Sequence, residues 1–256
     1  MEWREAGLVI GARRLGERAV ILELMTRARG RHLGVVRGGR SPDMRAALQP
    51  GNLVVALWRA RLEEHLGVFA VELLEARAAR FLDRAAGLHG LAALTAFLRL
   101  LPERDPHEAL FDHADAIVAR LCGAPDDQTG AGVAMARFEL AMLEALGFGL
   151  DLERCALTGA REDLAYVSPK SGRAVTRAAG APWRDRLLPY PSFLRNADDN
   201  ASLAELAAAF RLTGAFLMRD VFAPRGLTLP LARALYLDAL QRGSSQIVRD
   251  SRFVTP

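Results

Sequence analysis

The sequence contains a single lysine, Lys170, among 34 basic residues. A phosphate-binding P-loop needs a glycine directly before its lysine, and Lys170 follows Pro169, so this nucleotide site is excluded. The dinucleotide-binding and nucleophile-elbow glycine motifs are also missing. No two histidines have the spacing that places two metal ligands on one helix face. We therefore expect no catalytic activity and no resident cofactor or metal.

Cysteines and long apolar runs are equally scarce. Cys122 and Cys155 are the only cysteines, too few for a disulfide scaffold, and we expect both to be reduced. The longest uncharged apolar run, Leu91–Leu98, is far shorter than a membrane span. The first five residues include the acids Glu2 and Glu5 and lead into no apolar signal core. These features predict a cytoplasmic protein without a membrane partner.

Positive charge is abundant, and it is concentrated in the first third of the chain. Residues 1–80 hold 14 arginines and nine acidic residues, a net charge of +5. The rest of the chain has 20 basic and 21 acidic residues, a net charge of −1. Because arginine can pair two phosphate oxygens at once, this asymmetry indicates a surface that contacts nucleic acid. A merely solvated basic surface is the alternative.

The same first third consists of short β segments with polar breaks between them. The segments, rich in branched and aromatic residues, are AGLVIG, AVILELM, RHLGVVR, LVVALWRA and VFAVELLEA. A polar connection from Ser41 to Asn52 separates the third from the fourth. Five strands in about 75 residues are typical of a small closed barrel, of which the OB-fold is the commonest type. An SH3-like barrel fits the spacing nearly as well.

After Phe81 the pattern changes to helices. The stretch from Ala131 to Leu146 is apolar almost all round, which is typical of a central buried helix, and Gly147 is suited to end it. We therefore predict an α+β protein with a β-barrel over residues 1–80 and an all-α helical domain over residues 81–256. Further helices are predicted to begin at four capping residues, Asp83, Asp105, Ser202 and Thr228. The last of these helices is predicted to end at Gly243.

Nine arginines of the barrel region fall at strand ends and in loops, where the binding faces of small barrels are built. We predict that they contact DNA phosphates; they are Arg13, Arg14, Arg18, Arg27, Arg29, Arg31, Arg37, Arg40 and Arg45. Aromatic residues for base stacking are few in this region: Trp3, Trp58 and Phe69. Contacts to phosphates should therefore outweigh base stacking.

Several stretches in order along the chain resemble the RecO family of bacterial recombination mediators. They are GLVIGARRLGERAVILELMTRARGRHLGVVRGGR, LQPGN, RFELAMLEALGFGLDLERCALTG, LAYVSPKSGRAV and LTLPLARALYLDAL. The resemblance implies an N-terminal OB-fold, a helical C-terminal domain and binding of single- and double-stranded DNA. It also implies annealing of complementary strands and loading of recombinase onto strands coated with single-strand-binding protein. RecR and the C-terminal tail of single-strand-binding protein are the implied partners.

The chain departs from the family at a zinc module, which many members build from two C-x-x-C pairs. Cys155 occupies the first position, but Thr158, Thr176 and Ala179 stand at the other three. One thiolate cannot hold a structural zinc, which needs four ligands. We therefore expect a degenerate module over about residues 155–179 that binds no metal. Leu157, Leu164, Tyr166 and Val175 are expected to hold its shape by packing.

A second function class fits the same sequence. In it the chain is an adaptor whose helical domain docks partner proteins, while the barrel binds DNA weakly or not at all. The salt dependence of DNA affinity separates the two hypotheses, because binding driven by phosphate contacts weakens steeply with salt.

Overall fold

The computed structural model describes residues 1–81, 83–123, 128–196 and 200–250. The chain forms two compact units, Met1–Gly123 and Ala124–Pro256. The first unit holds the predicted barrel together with two helices that we had expected to belong to the second. The boundary that the change of sequence pattern predicts near residue 80 lies inside this first unit.

The barrel is closed and has the five predicted strands. They are β1 (Glu2–Leu15), β2 (Ala19–Thr26), β3 (Gly30–Val36), β4 (Leu53–Arg59) and β5 (Val68–Glu75). Their order is β1-β2-β3-β5-β4, and β1 pairs with both β2 and β4 to close the sheet. A register shift between Val9 and Gly11 bends the long β1, so that its two halves serve different neighbours. This topology is that of an OB-fold, which confirms the first of the two barrel types predicted.

The barrel interior is filled by side chains that alternate along the strands. Leu22 and Leu24 from β2, Val54 from β4 and Phe69 from β5 are all buried in one cluster with Trp58. These inward-facing residues alternate with outward-facing ones along the strands, with the two-residue period that the sequence shows. The interior is therefore a packed core without a channel.

A short helix, α1 (Pro42–Ala47), lies in the segment predicted to be only a polar connection. Met44 and the following Leu48 pack against the barrel core, which closes one end of the barrel. The buried side chain of Asn52 fixes the exit of this segment, since its amide donates to the carbonyls of Ala46 and Ala47. Tertiary packing at two positions explains why so short a helix forms.

The two remaining helices of the first unit are α2 (Ala85–Leu98) and α3 (Glu108–Leu121). Both predicted capping residues were wrong. Arg84 precedes α2 and His107 precedes α3, and neither helix start has a side-chain cap. The carboxylate of Asp105 instead lies 3.2 Å from the ring of His107. Packing on the barrel, rather than local capping, therefore sets these two starts.

The predicted central helix of the second unit is confirmed as α4 (Gln128–Ala145). Phe138 and Met142 are completely buried, and so is the charged Glu139. Gly147 ends the helix in the left-handed conformation with φ +84°. The amide of Phe148 then donates to the carbonyl of Leu143, as in a Schellman motif.

The second unit is not all-α, because the degenerate zinc module contains a small antiparallel sheet. The module and its surroundings comprise β6 (Leu164–Val167), β7 (Ala174–Thr176), α5 (Arg177–Gly180) and β8 (Leu188–Pro189), with strand order β7-β6-β8. Leu164 and Val175 are buried as predicted. Leu157 is not, since 68 % of its surface is exposed, so it does not hold the module together.

Two long helices complete the second unit, α6 (Leu203–Phe216) and α7 (Leu231–Asp250). The predicted capping box at Ser202 is confirmed, with Ser202 and Glu205 bonding to each other's backbone amides. A π-helical turn over Leu217–Phe222 continues α6. At α7 the prediction was wrong at both ends: the helix begins three residues after Thr228 and continues through Gly243. Residues 251–256 lie outside the described part of the chain.

Candidate nucleic-acid interface

One end of the barrel, which we call the hairpin end, carries the tight turn between β1 and β2. Arg13 and Arg14 lie on the last residues of β1, where Arg14 pairs with Val20 in β2. Arg18 follows in the turn, and every residue from Ala12 to Arg18 is exposed. Because the hairpin extends beyond the packed interior, its guanidinium groups face solvent.

The connection from β3 to α1 reaches the same end. It carries Arg37 and Arg40, and Arg45 follows on α1. The amide of Arg40 donates to the carbonyl of Arg18 over 3.4 Å, and its guanidinium donates to the carbonyl of Glu17 over 2.6 Å. These bonds hold the connection against the hairpin.

Six of the nine predicted arginines are thus placed at the hairpin end. We call them the hairpin-end arginine cluster: Arg13, Arg14, Arg18, Arg37, Arg40 and Arg45. The only acidic residues of the two segments are Glu17 and Asp43. Across the described parts of the chain, no member of the cluster forms an ion pair with a carboxylate. Unpaired guanidinium groups at this density suit an anionic backbone.

The other three predicted arginines lie at the opposite end of β2, around the β2–β3 turn, which we call the turn end. Arg27 makes two hydrogen bonds to the carboxylate of Asp112, at 3.1 and 2.9 Å. Arg31 is mostly buried, pairs with Glu23 at 2.7 Å and donates to the carbonyl of Leu101. Both guanidinium groups therefore connect the barrel to the helices that follow it. The nine arginines are therefore divided between the two ends of the barrel.

The outer face of β2, which OB-folds commonly use for binding, is covered in this chain. Met25 is completely buried. The guanidinium of Arg99 donates to the carboxylate of Glu23 at 2.8 Å and to the carbonyl of Ile10 at 2.6 Å. Arg99, which follows α2 directly, and helix α3, which packs against β2, thereby cover this face. The hairpin end is not covered in this way, and its arginines are exposed.

The turn end brings together the aromatic residues that the sequence shows as isolated. The rings of Trp3 and Trp58 stack with their centroids 5.9 Å apart. His32 packs edge-on against both, at 5.0 and 4.9 Å. Phe69 completes the group from β5. Trp58, Phe69 and His32 are buried, so only Trp3 retains accessible ring surface.

A cleft of about 410 Å³ opens beside this group. We call it the turn-end cleft; Trp3, Arg29, His32, Trp58 and Arg104 are among its lining residues. The pKa of His32 falls to about 4, mainly because burial disfavours the charged ring, and the charges of Arg104 and Arg29 add to the effect. His32 is therefore neutral at pH 7. Arg104 lies beyond the basic segment analysed in the sequence, which is why sequence reasoning missed the cleft.

The degenerate zinc module does not offer a zinc site. The amide of Thr176 donates to the sulfur of Cys155, and the hydroxyl of Thr176 accepts from the amide of Ala179 at the start of α5. Burial raises the pKa of Cys155, but hydrogen bonds from Thr158 and from the amides of Thr176 and Leu157 outweigh it, and the pKa is about 6. Hydrogen-bond donors thus occupy the positions that metal ligands would need.

The described residues contain no group of three or more His, Cys, Asp or Glu side chains that could hold a metal ion. None of their helices combines the length and the apolar character that crossing a membrane requires.

Comparison with known proteins gives matches over most of the chain. The family model for the recombination protein O N-terminal region matches residues 1–77, and the model for its C-terminal region matches residues 82–227. A protein of Chelativorans sp. named DNA repair protein RecO is 60% identical over 94% of this chain and 96% of its own length. Proteins of the same name from Mesorhizobium japonicum and Rhizobium etli are each 55% identical over at least 92% of both chains. The barrel topology, the helical second unit and these matches agree, and the chain belongs to the RecO family.

Proposed function

We propose that this chain is a DNA-binding protein of recombinational repair, and that it holds DNA strands by their phosphates at the hairpin-end arginine cluster. The observation that carries the proposal is the convergence of six arginines without carboxylate partners on one end of an OB-fold barrel. The names of the relatives support repair as the process. Both single and double strands present the phosphates that such a cluster contacts.

The finer steps follow the family resemblance. Annealing of complementary strands and loading of recombinase onto strands coated with single-strand-binding protein both require strands held by their backbones with the bases left accessible. Contacts through phosphates meet this requirement, because they leave the base edges free to pair. The proposal needs no catalytic centre. Since the relatives are bacterial, it also places the protein in the cytoplasm with the chromosome.

The proposed partners are RecR and the acidic tail of single-strand-binding protein, with the second unit as the receiver of the tail. Helical surfaces with an apolar groove accept peptides of this kind. A fragment of residues 124–256 should bind a tail peptide in fluorescence anisotropy. Binding of the peptide by the first unit alone would contradict this assignment.

The test of the DNA interface is a triple variant, Arg13→Ala, Arg14→Ala and Arg37→Ala. Each lost phosphate contact should flatten the slope of log affinity against log salt by about 0.7 for single strands and 0.9 for duplex. The three changes together should flatten it by roughly 2 units on single strands. Affinity should fall to a similar extent on all DNA sequences, because no base edges are read.

A matched control removes the same charge from arginines that already have carboxylate partners. Arg4, Arg27 and Arg59 pair with Glu72, Asp112 and Glu2, respectively. Their triple alanine variant should keep the wild-type salt slope. If both variants flattened the salt slope equally, net charge alone would determine DNA affinity. An unchanged slope in the hairpin-end variant would favour the adaptor hypothesis.

A further inference from the structure

The turn-end cleft has a composition that phosphate contacts alone do not explain. Trp3 is half-buried at its wall, and Trp58, His32 and Phe69 fix its ring from three directions. A ring held in this way loses little conformational entropy when a planar group stacks on it. Stacking on a tryptophan face is the usual way in which proteins hold an unpaired base.

Two guanidinium groups line the same cleft. Arg29 is exposed in the β2–β3 turn, and Arg104 lies over the ring of Trp58 with 5.9 Å between its guanidinium carbon and the ring centroid. Both arginines line the cleft together with Trp3, His32 and Trp58, so the two cations lie beside the aromatic group. A planar aromatic wall with two cations beside it complements a ligand that has both a π-face and a negative charge.

Arg104 has an unusual backbone conformation and an incompletely hydrogen-bonded side chain. Its backbone has φ +63°, a left-handed conformation that costs energy for a residue other than glycine. Its Nε is buried without a hydrogen-bond partner among the described residues, although its Nη2 donates to the carbonyl of His65. Strain and an unsatisfied donor often persist where a ligand uses them.

We propose that the turn-end cleft is a nucleotide site, in which Trp3 stacks on a base and Arg29 and Arg104 hold the attached phosphate. The proposal rests on the proposed function and deepens it, because the nucleotide is one unpaired residue of a bound DNA strand. The volume of the turn-end cleft, about 410 Å³, lies within the range of small-ligand sites. The cleft and the hairpin-end arginine cluster lie at opposite ends of β2, roughly 24 Å apart. They are therefore separate sites.

The test uses the full chain with Trp183→Phe, which leaves Trp3 and Trp58 as the only tryptophans. The probe is deoxyadenosine monophosphate, with inorganic phosphate as the comparison. We expect saturable quenching of tryptophan fluorescence by the nucleotide, with an apparent Kd on the order of 1 mM for one stacked base and its phosphate. Inorganic phosphate should give no quenching. Failure of the nucleotide to quench, or equal binding of inorganic phosphate, overturns the proposal.

Substitutions of surface charges locate the site without disturbing the core. Arg29→Ala should weaken nucleotide binding about tenfold, the loss expected for one charged hydrogen bond. Arg61→Ala removes the same charge from another exposed turn of the barrel and should leave binding unchanged. Glu63→Gln removes a carboxylate from the cleft and should strengthen binding. Equal effects of the two arginine variants would show non-specific attraction and contradict the site.

Each of the two binding proposals can be contradicted without contradicting the other. The hairpin-end triple variant should lose strand affinity and keep nucleotide quenching, whereas Arg29→Ala should lose quenching and keep most of the salt slope. Oligonucleotides distinguish a strand residue from a free nucleotide: single-stranded DNA should compete with the monophosphate in wild-type protein. Absence of competition would mean that the cleft serves free nucleotides, and it would contradict the strand assignment. An unchanged salt slope with normal quenching would overturn the proposed function alone.

Discussion

His32 shows how burial changes the chemistry of a residue whose type alone suggests a titrating site. Its ring packs against Trp3 and Trp58, and 3 % of the residue is exposed. The Nδ1 atom lies 3.1 Å from the carbonyl of Leu33, which suits a neutral ring that donates there. The residue therefore acts as a polar aromatic member of the cluster.

The first prediction concerns the pH dependence that His32 creates. Its pKa is about 4 in the folded protein and about 6.5 when unfolded, so the unfolded chain binds the proton first as the pH falls. Folding stability should therefore be lost between pH 6.5 and pH 4, by on the order of 3 kcal/mol. Denaturant unfolding of wild-type protein and His32→Phe at both pH values measures the difference. The variant should lose this part of the pH dependence.

The control for His32 is the exposed His65, changed in the same way. His65→Phe should follow the wild-type pH profile, because the side chain is not withdrawn from water. Identical profiles for wild type and His32→Phe would show that some other group produces the pH dependence.

Cys155 is the one cysteine among the four positions at which the family resemblance implies zinc ligands. Its thiolate is stabilised by hydrogen bonds from Thr158 and neighbouring amides, which replace the positive charge of a metal ion. Protein purified without chelator should contain far less than one zinc per chain. Neither chelator nor added zinc should change the melting temperature. A stoichiometric zinc content would instead require ligands outside the four module positions.

At the scale of elements, the second unit depends on a buried ion pair. Arg233 of α7 donates to both carboxylate oxygens of Glu139 of α4, at 2.7 and 2.9 Å, and Thr213 of α6 donates to the same carboxylate. Glu139 is completely buried, and 7 % of Arg233 is exposed. Three helices thus meet at one pair of charges that water does not screen.

Removing one member of this pair should be costly, because it leaves the other charge buried alone. We expect Glu139→Ala to lower the free energy of unfolding by about 3–5 kcal/mol, as measured by denaturant titration. The double variant Glu139→Leu and Arg233→Met should recover most of the loss, since it removes both charges and keeps the volume. Asp151→Ala breaks the exposed pair with Arg173 and should cost less than about 1 kcal/mol. Similar losses at both sites would contradict this account.

The elements also show which parts of the fold the sequence determines locally. The strands of the barrel were predictable because the alternation of inward and outward residues is visible in the amino-acid sequence. Helix α4 was predictable because its surface is apolar all round, and Ser202 because a capping box is local. The starts of α2 and α3 were not predictable from Asp83 and Asp105, since packing on the barrel sets them. Helix α1 was missed because contacts of Met44 and Leu48, distant in sequence, stabilise it.

The positive charge of the candidate interface was predictable from the sequence, but the arrangement of its arginines was not. The sequence shows that arginines gather in the first third, and it cannot show which of them meet a carboxylate. Glu23 is 76 positions from Arg99, and Asp112 is 85 positions from Arg27. Pairing takes Arg27 and Arg31 out of the set of arginines without a carboxylate partner, while Arg13 and its neighbours stay in it. The turn-end cleft depends in the same way on Arg104.

At the scale of the whole molecule, the barrel and the two helices after it belong to one compact unit. The family models divide the chain between residues 77 and 82, but the compact unit continues to Gly123. Charged contacts join the barrel region to the helices and the residues that follow it. They are Arg31–Glu23–Arg99, Arg77–Asp115 and Arg27–Asp112. A barrel cut at residue 80 would expose Met25 and leave Glu23 and Arg31 without Arg99 and the carbonyl of Leu101.

We therefore expect a fragment of residues 1–123 to fold alone and a fragment of residues 1–80 not to. The longer fragment should melt in one cooperative transition and keep the salt slope of the full chain on single-stranded DNA, because it contains the whole hairpin-end arginine cluster. The shorter fragment should show no cooperative melt, since apolar surface on β2 loses its cover. Circular dichroism melting and DNA titration of both fragments make the comparison. A cooperative melt and full DNA affinity for residues 1–80 would place the boundary where the sequence pattern changes, and would assign α2 and α3 to the helical domain.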